Sequence, residues 1–193
     1  MNKYFLPIVV CFSILSLNAC RSRQQTDNQP TDSTTAVAAT EMSTSVAIVG
    51  RLAELGLTPD SDWRGINLGD DFAKVKAIEK SAPFESDTDH IGYTVELKNL
   101  ESADILYYQT SKKVSAIDVD LFLNTHQSVN DYQKELGTYF TARYGASKPG
   151  AGGPIWVGSK GNMVTLKDVS KGKDFGLKIK ISPAGSAATA SAK

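Results

Sequence analysis

Two groups of carboxylates separated by one residue stand at or beside predicted strands, and each could do chemistry. Glu85, Asp87 and Asp89 alternate, and closely spaced oxygen ligands can bind calcium. The stretch lacks both the central glycine and the final glutamate of a calcium loop, which favours a solvated acidic turn. Asp118 and Asp120 share one face of a predicted strand and could act as an acid–base pair. We expect that face to be solvated, so ordinary surface charge is favoured.

The motifs of metal and nucleophile chemistry are missing from the sequence. His90 and His126 form no H-x-x-x-H or H-x-H pair, so we predict no metal site and no cofactor. No serine stands in a G-x-S-x-G motif. The segment Pro149–Pro154 is rich in glycine but lacks the Gly-Lys-Ser/Thr ending of a phosphate-binding loop, so we expect a flexible connection. The sequence therefore predicts no catalytic residue.

Aromatic residues offer a candidate binding surface. Tyr107 and Tyr108 are adjacent on one predicted strand, so one side chain faces the core and the other faces out. An outward Tyr108 beside Trp63 or Trp156 would form a patch suited to binding a protein. Core packing of both tryptophans is the favoured alternative.

Composition argues against two classes of partner. The 193 residues include 21 Lys and Arg and 21 Asp and Glu. Without residues 1–19, which contain only Lys3 among the charged residues, the balance is 20 basic against 21 acidic. Such a chain has no strong field that would attract nucleic acid. It also lacks a basic run that would hold it to anionic lipid.

The first twenty residues have the pattern of a cleavable targeting segment. Lys3 gives a short positive region, and the apolar run Phe5–Leu17 is too short to span a bilayer but suits a signal peptide. Leu17-Asn18-Ala19-Cys20 resembles the lipobox of bacterial lipoproteins. The resemblance implies cleavage before Cys20 and acylation of its thiol, which would anchor the chain to a lipid bilayer. The absence of Asp at position 21, where Arg21 stands, is typical of the outer-membrane class.

Composition divides the rest of the chain. Residues 20–45 are polar and small, and such a stretch cannot bury enough surface to fold, so we predict a disordered tether. Residues 46–62 should hold a short helix and a linker, and residues 63–182 the globular domain. Residues 183–193 should form a disordered tail. The only cysteines are Cys11 and Cys20, so the domain must fold without disulfides.

Periodicity predicts the elements of the domain. The expected helices and strands are a helix over 45–55 ended by Gly56, a helix over 70–80 capped by Asp70, strands at 91–97, 103–110 and 114–121, a helix over 128–145 with a capping box at Ser128 and Asp131, and strands at 155–157, 162–169 and 174–181. From the helix over 70–80 onwards, the order helix–strand–strand–strand thus occurs twice. This indicates an α+β domain: a two-layer sandwich of an antiparallel sheet with helices on one face.

One segment of the domain has its own resemblance. Gly65–Asp71, leading into a helix that contains Val75, resembles the opening of the β-lactamase-inhibitor-like group. That group includes small lipoproteins of outer-membrane protein assembly. The resemblance implies a domain that binds proteins and catalyses nothing, and no binding residue is carried over from it.

These observations favour a membrane-anchored lipoprotein with a non-catalytic protein-binding or assembly domain. We expect it in the cell envelope, facing the periplasm, with the bilayer and another envelope protein as its partners. Two alternatives stay open: an envelope hydrolase with a site assembled from scattered residues, and a module that binds a small ligand or glycan. An exposed apolar patch on a sheet face would favour the protein-binding domain. A concave pocket with clustered titratable groups would favour the hydrolase.

Overall fold

The computed structural model describes residues 46–185, which belong to the compact unit Glu41–Lys193. The predicted signal peptide, Cys20, the predicted tether and residues 186–193 lie outside the described residues. The elements are α1 (Gly50–Glu54), α2 (Ala73–Ile78), β1 (Glu85–Ser86), β2 (His90–Glu96), a 3₁₀ turn (Lys98–Leu100), β3 (Ser102–Thr110), β4 (Lys113–Leu123), α3 (His126–Tyr144), β5 (Lys148–Gly150), β6 (Gly153–Val157), β7 (Asn162–Asp168) and β8 (Phe175–Pro183).

The eight strands form one open antiparallel sheet in the order β1-β2-β3-β4-β8-β7-β6-β5. Each half is a meander of four strands, and the halves join where the last strand of each, β4 and β8, pair. The α+β class and the antiparallel sheet are therefore confirmed. The expectation of three strands in each half is wrong, because β1 and β5 add a short fourth strand at each edge.

The strand β5 also corrects the predicted loop at Pro149–Pro154. Pro149 pairs with Pro154, and Gly150 pairs with Gly153, in a tight hairpin. Gly153 has φ +139°, and a Cβ there would lie 2.1 Å from the carbonyl oxygen of Leu166. Only glycine accepts that backbone conformation and that close approach, so this glycine serves the hairpin.

One face of the sheet is buried because its strands alternate apolar and polar residues. On β8, Leu177, Ile179 and Ile181 are at most 1% exposed, as period two predicts. The helix α3 packs against β4, β6, β7 and β8. It buries the stripe Val129, Tyr132, Leu136, Tyr139 and Phe140.

The beginnings of all three helices differ from the prediction, and α1 begins at Gly50 rather than at residue 45. Helix α3 begins at His126, and its N-cap is Thr125, whose side chain accepts a hydrogen bond from the Ser128 amide. Ser128 is therefore inside the helix rather than its cap. Helix α2 begins at Ala73, three residues after Asp70, whose carboxylate instead accepts the Asn67 amide.

Helix α1 docks on α3 and contributes to the core. Arg51 bonds to Asp131 and to Glu135 of α3, each at 2.9 Å. Gly56, with φ +68°, ends the helix as predicted, since its amide and that of Leu57 bond to carbonyls of the last turn.

Candidate functional site

The sheet has a second face, formed by the residues that alternate with the buried ones and point away from α3. We call it the open face. On β4, for example, Asp118, Asp120 and Phe122 alternate with buried Val119 and Leu121. Within residues 46–185, no helix packs across this face, because α3 contacts the strands on the buried side.

Two ion pairs lie at the centre of the open face, where the halves of the sheet meet. Asp118 is opposite Lys180, with 3.1 Å between Oδ2 and Nζ, and Asp120 is opposite Lys178, whose Nζ lies 2.7 and 2.8 Å from its two oxygens. The Asp118 side chain is only 13% exposed. The two carboxylates therefore share a face, as predicted, but each is neutralised by a lysine rather than left solvated.

Large apolar side chains lie exposed on both halves of this face. Phe122 is 52% exposed, Val157 is 45% exposed and Phe84 is 50% exposed. The ring of Phe84 covers Gly92, at which a Cβ would lie 2.6 Å from the ring. Leaving three such side chains in water is unfavourable, so their shared face is a candidate interaction surface.

Tyr108 lies on the open face, as the sequence predicted. Its ring stacks at 5.4 Å from that of His90, and burial, followed by the nearby Asp118, raises the pKa of its hydroxyl. The tryptophans do not join it. Trp63 is fully buried, and Trp156 is 2% exposed and donates its indole N–H to Thr141. A patch of Tyr108 with either tryptophan is therefore wrong, and core packing is confirmed.

The acidic turn before β2 forms a cluster with a histidine. The two ring nitrogens of His90 face different carboxylates, with Nε2 3.2 Å from Glu85 and Nδ1 3.0 Å from Asp87. Asp87 also accepts the amides of Asp89 and His90, which lowers the pKa of its carboxyl. Among residues 46–185, Glu85, Asp87 and His90 form the group whose ligand atoms lie close enough together to hold a cation. Asp89, which the sequence grouped with them, only shapes the turn.

The second histidine, His126, begins α3 and is exposed. Its ring lies 5.3 Å from that of Phe175, at the start of β8. His126 therefore lies on the surface of the domain.

A polar cleft of about 570 Å³ lies between the loop that precedes α2, the end of α3 and the β6–β7 turn. Its floor is Asp62, which is 1% exposed. The Leu68 amide, the Asn162 amide group and the Tyr144 hydroxyl donate to Asp62 at 2.8–2.9 Å. Arg143 lies farther away, with Nη2 at 3.4 Å from Oδ1.

This network ties three parts of the chain together. Burial, followed by Asp62 beside it, raises the pKa of Tyr144 well above its usual value, so its hydroxyl stays a donor at neutral pH. Asp62 already accepts several hydrogen bonds and serves mainly to hold the loop against α3. No pattern in the sequence indicates this cluster, because its members are up to 100 residues apart.

The apolar residues of the open face were also missed, although one signal was available. Phe122 follows Asp118 and Asp120 at period two, which places it on the same face. No family model, curated protein or solved structure matches this chain. Within residues 46–185, no helix is both long and apolar enough to span a membrane.

Proposed function

We propose that this chain is a lipid-anchored protein of the bacterial cell envelope whose domain binds another protein through the open face of its sheet. The observation that carries the proposal is the exposure of Phe84, Phe122 and Val157 on that face. Binding a protein would remove these side chains from water, which stabilises the complex.

The proposal includes the finer architecture and the location. In it, the domain is a two-layer sandwich with its helices on the buried face of the sheet, which leaves the opposite layer free for a partner. Acylated Cys20 attaches the chain to a bilayer, with the outer membrane favoured and the domain facing the periplasm. The likeness of Gly65–Asp71 to the opening of small outer-membrane-assembly domains supports a binding role without catalysis.

Site-specific photo-crosslinking in cells tests the binding surface. A photo-reactive amino acid replaces Thr165 on the open face in one variant and Lys134 on the solvent side of α3 in another. We expect a discrete protein adduct from position 165 and none from position 134. Equal labelling at both positions, or none at position 165, would contradict the proposal.

Metabolic labelling tests the anchor separately. Labelled palmitate should enter the wild-type chain and not the Cys20→Ser variant, and the wild-type chain should sediment with membranes. A wild-type chain that stays unlabelled and soluble would contradict the anchor but not the binding surface.

The polar cleft favours a second candidate function, the binding of a small polar ligand such as a glycan. The guanidinium of Arg143 is held by bonds to the Pro59 carbonyl oxygen at 2.8 Å and the Tyr144 hydroxyl at 3.1 Å. Its Nη2 reaches Asp62 and Asn67 only at 3.4 and 3.5 Å, so this nitrogen can donate to a ligand while the guanidinium stays in place. Titration with N-acetylglucosamine oligomers, followed by thermal shift, tests this function. A shift that disappears in Arg143→Met would support it, whereas no shift would exclude this ligand class.

A further inference from the structure

Charge on the open face is divided between the two halves of the sheet. Strands β1–β4 contribute acidic side chains and strands β5–β8 contribute basic ones. The acidic residues are Glu85, Glu96, Asp104, Asp118 and Asp120, and the basic residues are Lys148, Lys167, Lys178 and Lys180. Among the described strand residues, Lys113 departs from this division at the hairpin end of β4, where it pairs with Asp71.

The register sets these charges in rows that change sign at the centre. One row runs Thr94, Asp104, Asp120, Lys178 and Lys167 across five strands. The next row begins at Glu85 and ends at Lys148, with Asp118 and Lys180 in the middle and uncharged residues between. In both rows, each position and its mirror position across the β4–β8 junction carry opposite charge or none.

Folding of the domain does not account for this pattern. Asp104 lies directly opposite Asp120, and Lys167 lies directly opposite Lys178. Like charges directly opposite each other on neighbouring strands are unfavourable. Asp104 accepts a hydrogen bond from Thr94 at 2.7 Å, but no neighbour in the row offers an opposite charge to Asp104 or to Lys167. A surface with the reverse pattern would relieve the repulsion.

The same face, turned by 180° about an axis parallel to the strands, has the reverse pattern. With the axis at the β4–β8 junction, β3 of one chain faces β7 of the other, so that Asp104 faces Lys167 of the second chain. Tyr108 then faces Met163, and the uncharged positions face each other. An axis perpendicular to the strands would instead place acid on acid, so the charges specify one orientation.

The size of the face suits such a contact. Eight strands about 4.8 Å apart and four rows of residues about 6.8 Å apart cover roughly 700 Å² on each chain. The two faces would bury about 1,400 Å² together, which lies within the range of roughly 1,200–2,000 Å² found for stable interfaces.

We infer that the open face binds a second copy of this chain, face to face, about a twofold axis parallel to the strands. This inference rests on the proposed function, since it names the protein partner of the same face.

Charge reversal in the full chain, solubilised in a non-ionic detergent, tests the inference by sedimentation velocity. We expect a dimer of the wild-type chain, and each of Asp104→Lys and Lys167→Glu should raise its dissociation constant by about tenfold or more, because each creates two like-charge contacts. The double variant should restore dimerisation to within about threefold, because the two new charges then face each other. Lys134→Glu, which makes the same charge change on α3, should leave the dimer intact.

Three results would overturn the inference: a wild-type chain that stays monomeric, reversals that leave the dimer unchanged, or a double variant no better than the singles. Far-UV circular dichroism of each variant shows whether a lost dimer reflects lost folding, and the rescue by the double variant remains decisive. If the chain is monomeric but Thr165 still crosslinks to a different protein in cells, the second copy is wrong and the proposed function stands. If nothing crosslinks, both fail.

Discussion

Replacing Glu79 by alanine is expected to destabilise the domain by about 3–5 kcal/mol, because it removes one partner of a buried ion pair. Glu79 is 5% exposed. Its carboxylate accepts from Arg64 Nε at 2.8 Å, from Arg64 Nη2 at 3.0 Å and from the Tyr107 hydroxyl at 2.7 Å. Without Glu79, the guanidinium of Arg64, whose side chain is 18% exposed, keeps its charge but loses two charge-assisted hydrogen bonds.

An exposed pair in the same domain supplies the matched control. Glu135 also accepts from an arginine, Arg51, at 2.9 Å, but both side chains are 35% exposed. Solvent screens such a pair, so Glu135→Ala should cost less than about 1 kcal/mol. A domain of this size has a free energy of unfolding of about 5–15 kcal/mol, so both variants should still fold.

Urea denaturation of the full chain, followed by the fluorescence of buried Trp63 and Trp156, measures both losses. The double variant Arg64→Met/Glu79→Met removes both charges. Its loss of stability should therefore be smaller than the sum of the losses in the single variants Arg64→Met and Glu79→Met. A loss for Glu79→Ala no larger than that for Glu135→Ala would refute the reasoning. Strict additivity in the double variant would show that the pair is not coupled.

Three further predictions concern a glycine, a helix cap and two buried tyrosines. Gly153→Ala should destabilise the domain by several kcal/mol, because its Cβ would lie 2.1 Å from a carbonyl oxygen of β7. Gly161 also has a positive φ, but its Cβ would meet open space, so Gly161→Ala should cost about 1 kcal/mol. Urea denaturation compares the two variants. Thr125→Ala should cost about 1 kcal/mol, measured in the same way, and Thr125→Ser should restore most of it. Burial raises the pKa of Tyr132 and of Tyr139 to about 12, so their protonated form stabilises the fold below pH 10. That stability, about 3 kcal/mol for each tyrosine, should be lost as the pH rises from 10 through 12. Phenolate absorbance should therefore rise together with unfolding; titration of both tyrosines near pH 10 in the folded chain would contradict this.

Strong local periodicity made most of the elements predictable. The alternation in β2, β3, β4, β7 and β8 is visible in the sequence because one face of each strand is buried and the other is not. The two edge strands have only two and three residues, too few to show alternation. Helix beginnings were misplaced because Thr125 and Ser128 are both good caps, and the end of β4 at Leu123 decides between them.

For the candidate site, the sequence could predict which face of the sheet a residue lies on, because that depends on local alternation. It could not predict which residues lie beside each other on neighbouring strands, because that depends on strand pairing and register. The sequence places Asp118 and Asp120 on one side of β4, and Lys178 and Lys180 on one side of β8. It does not say that these strands pair, because they are about 60 residues apart and their pairing is decided by the closing of the whole core.

Register is also what turns scattered surface charge into a directed pattern. Had β7 inserted between β3 and β4, acidic and basic strands would be interspersed with no division at the centre. Pairing of β4 with β8 instead puts the acidic meander and the basic meander side by side. When such a face is rotated about the axis parallel to the strands, the acidic half of one copy lies opposite the basic half of the other. The topology, rather than any single residue, therefore makes the open face self-complementary.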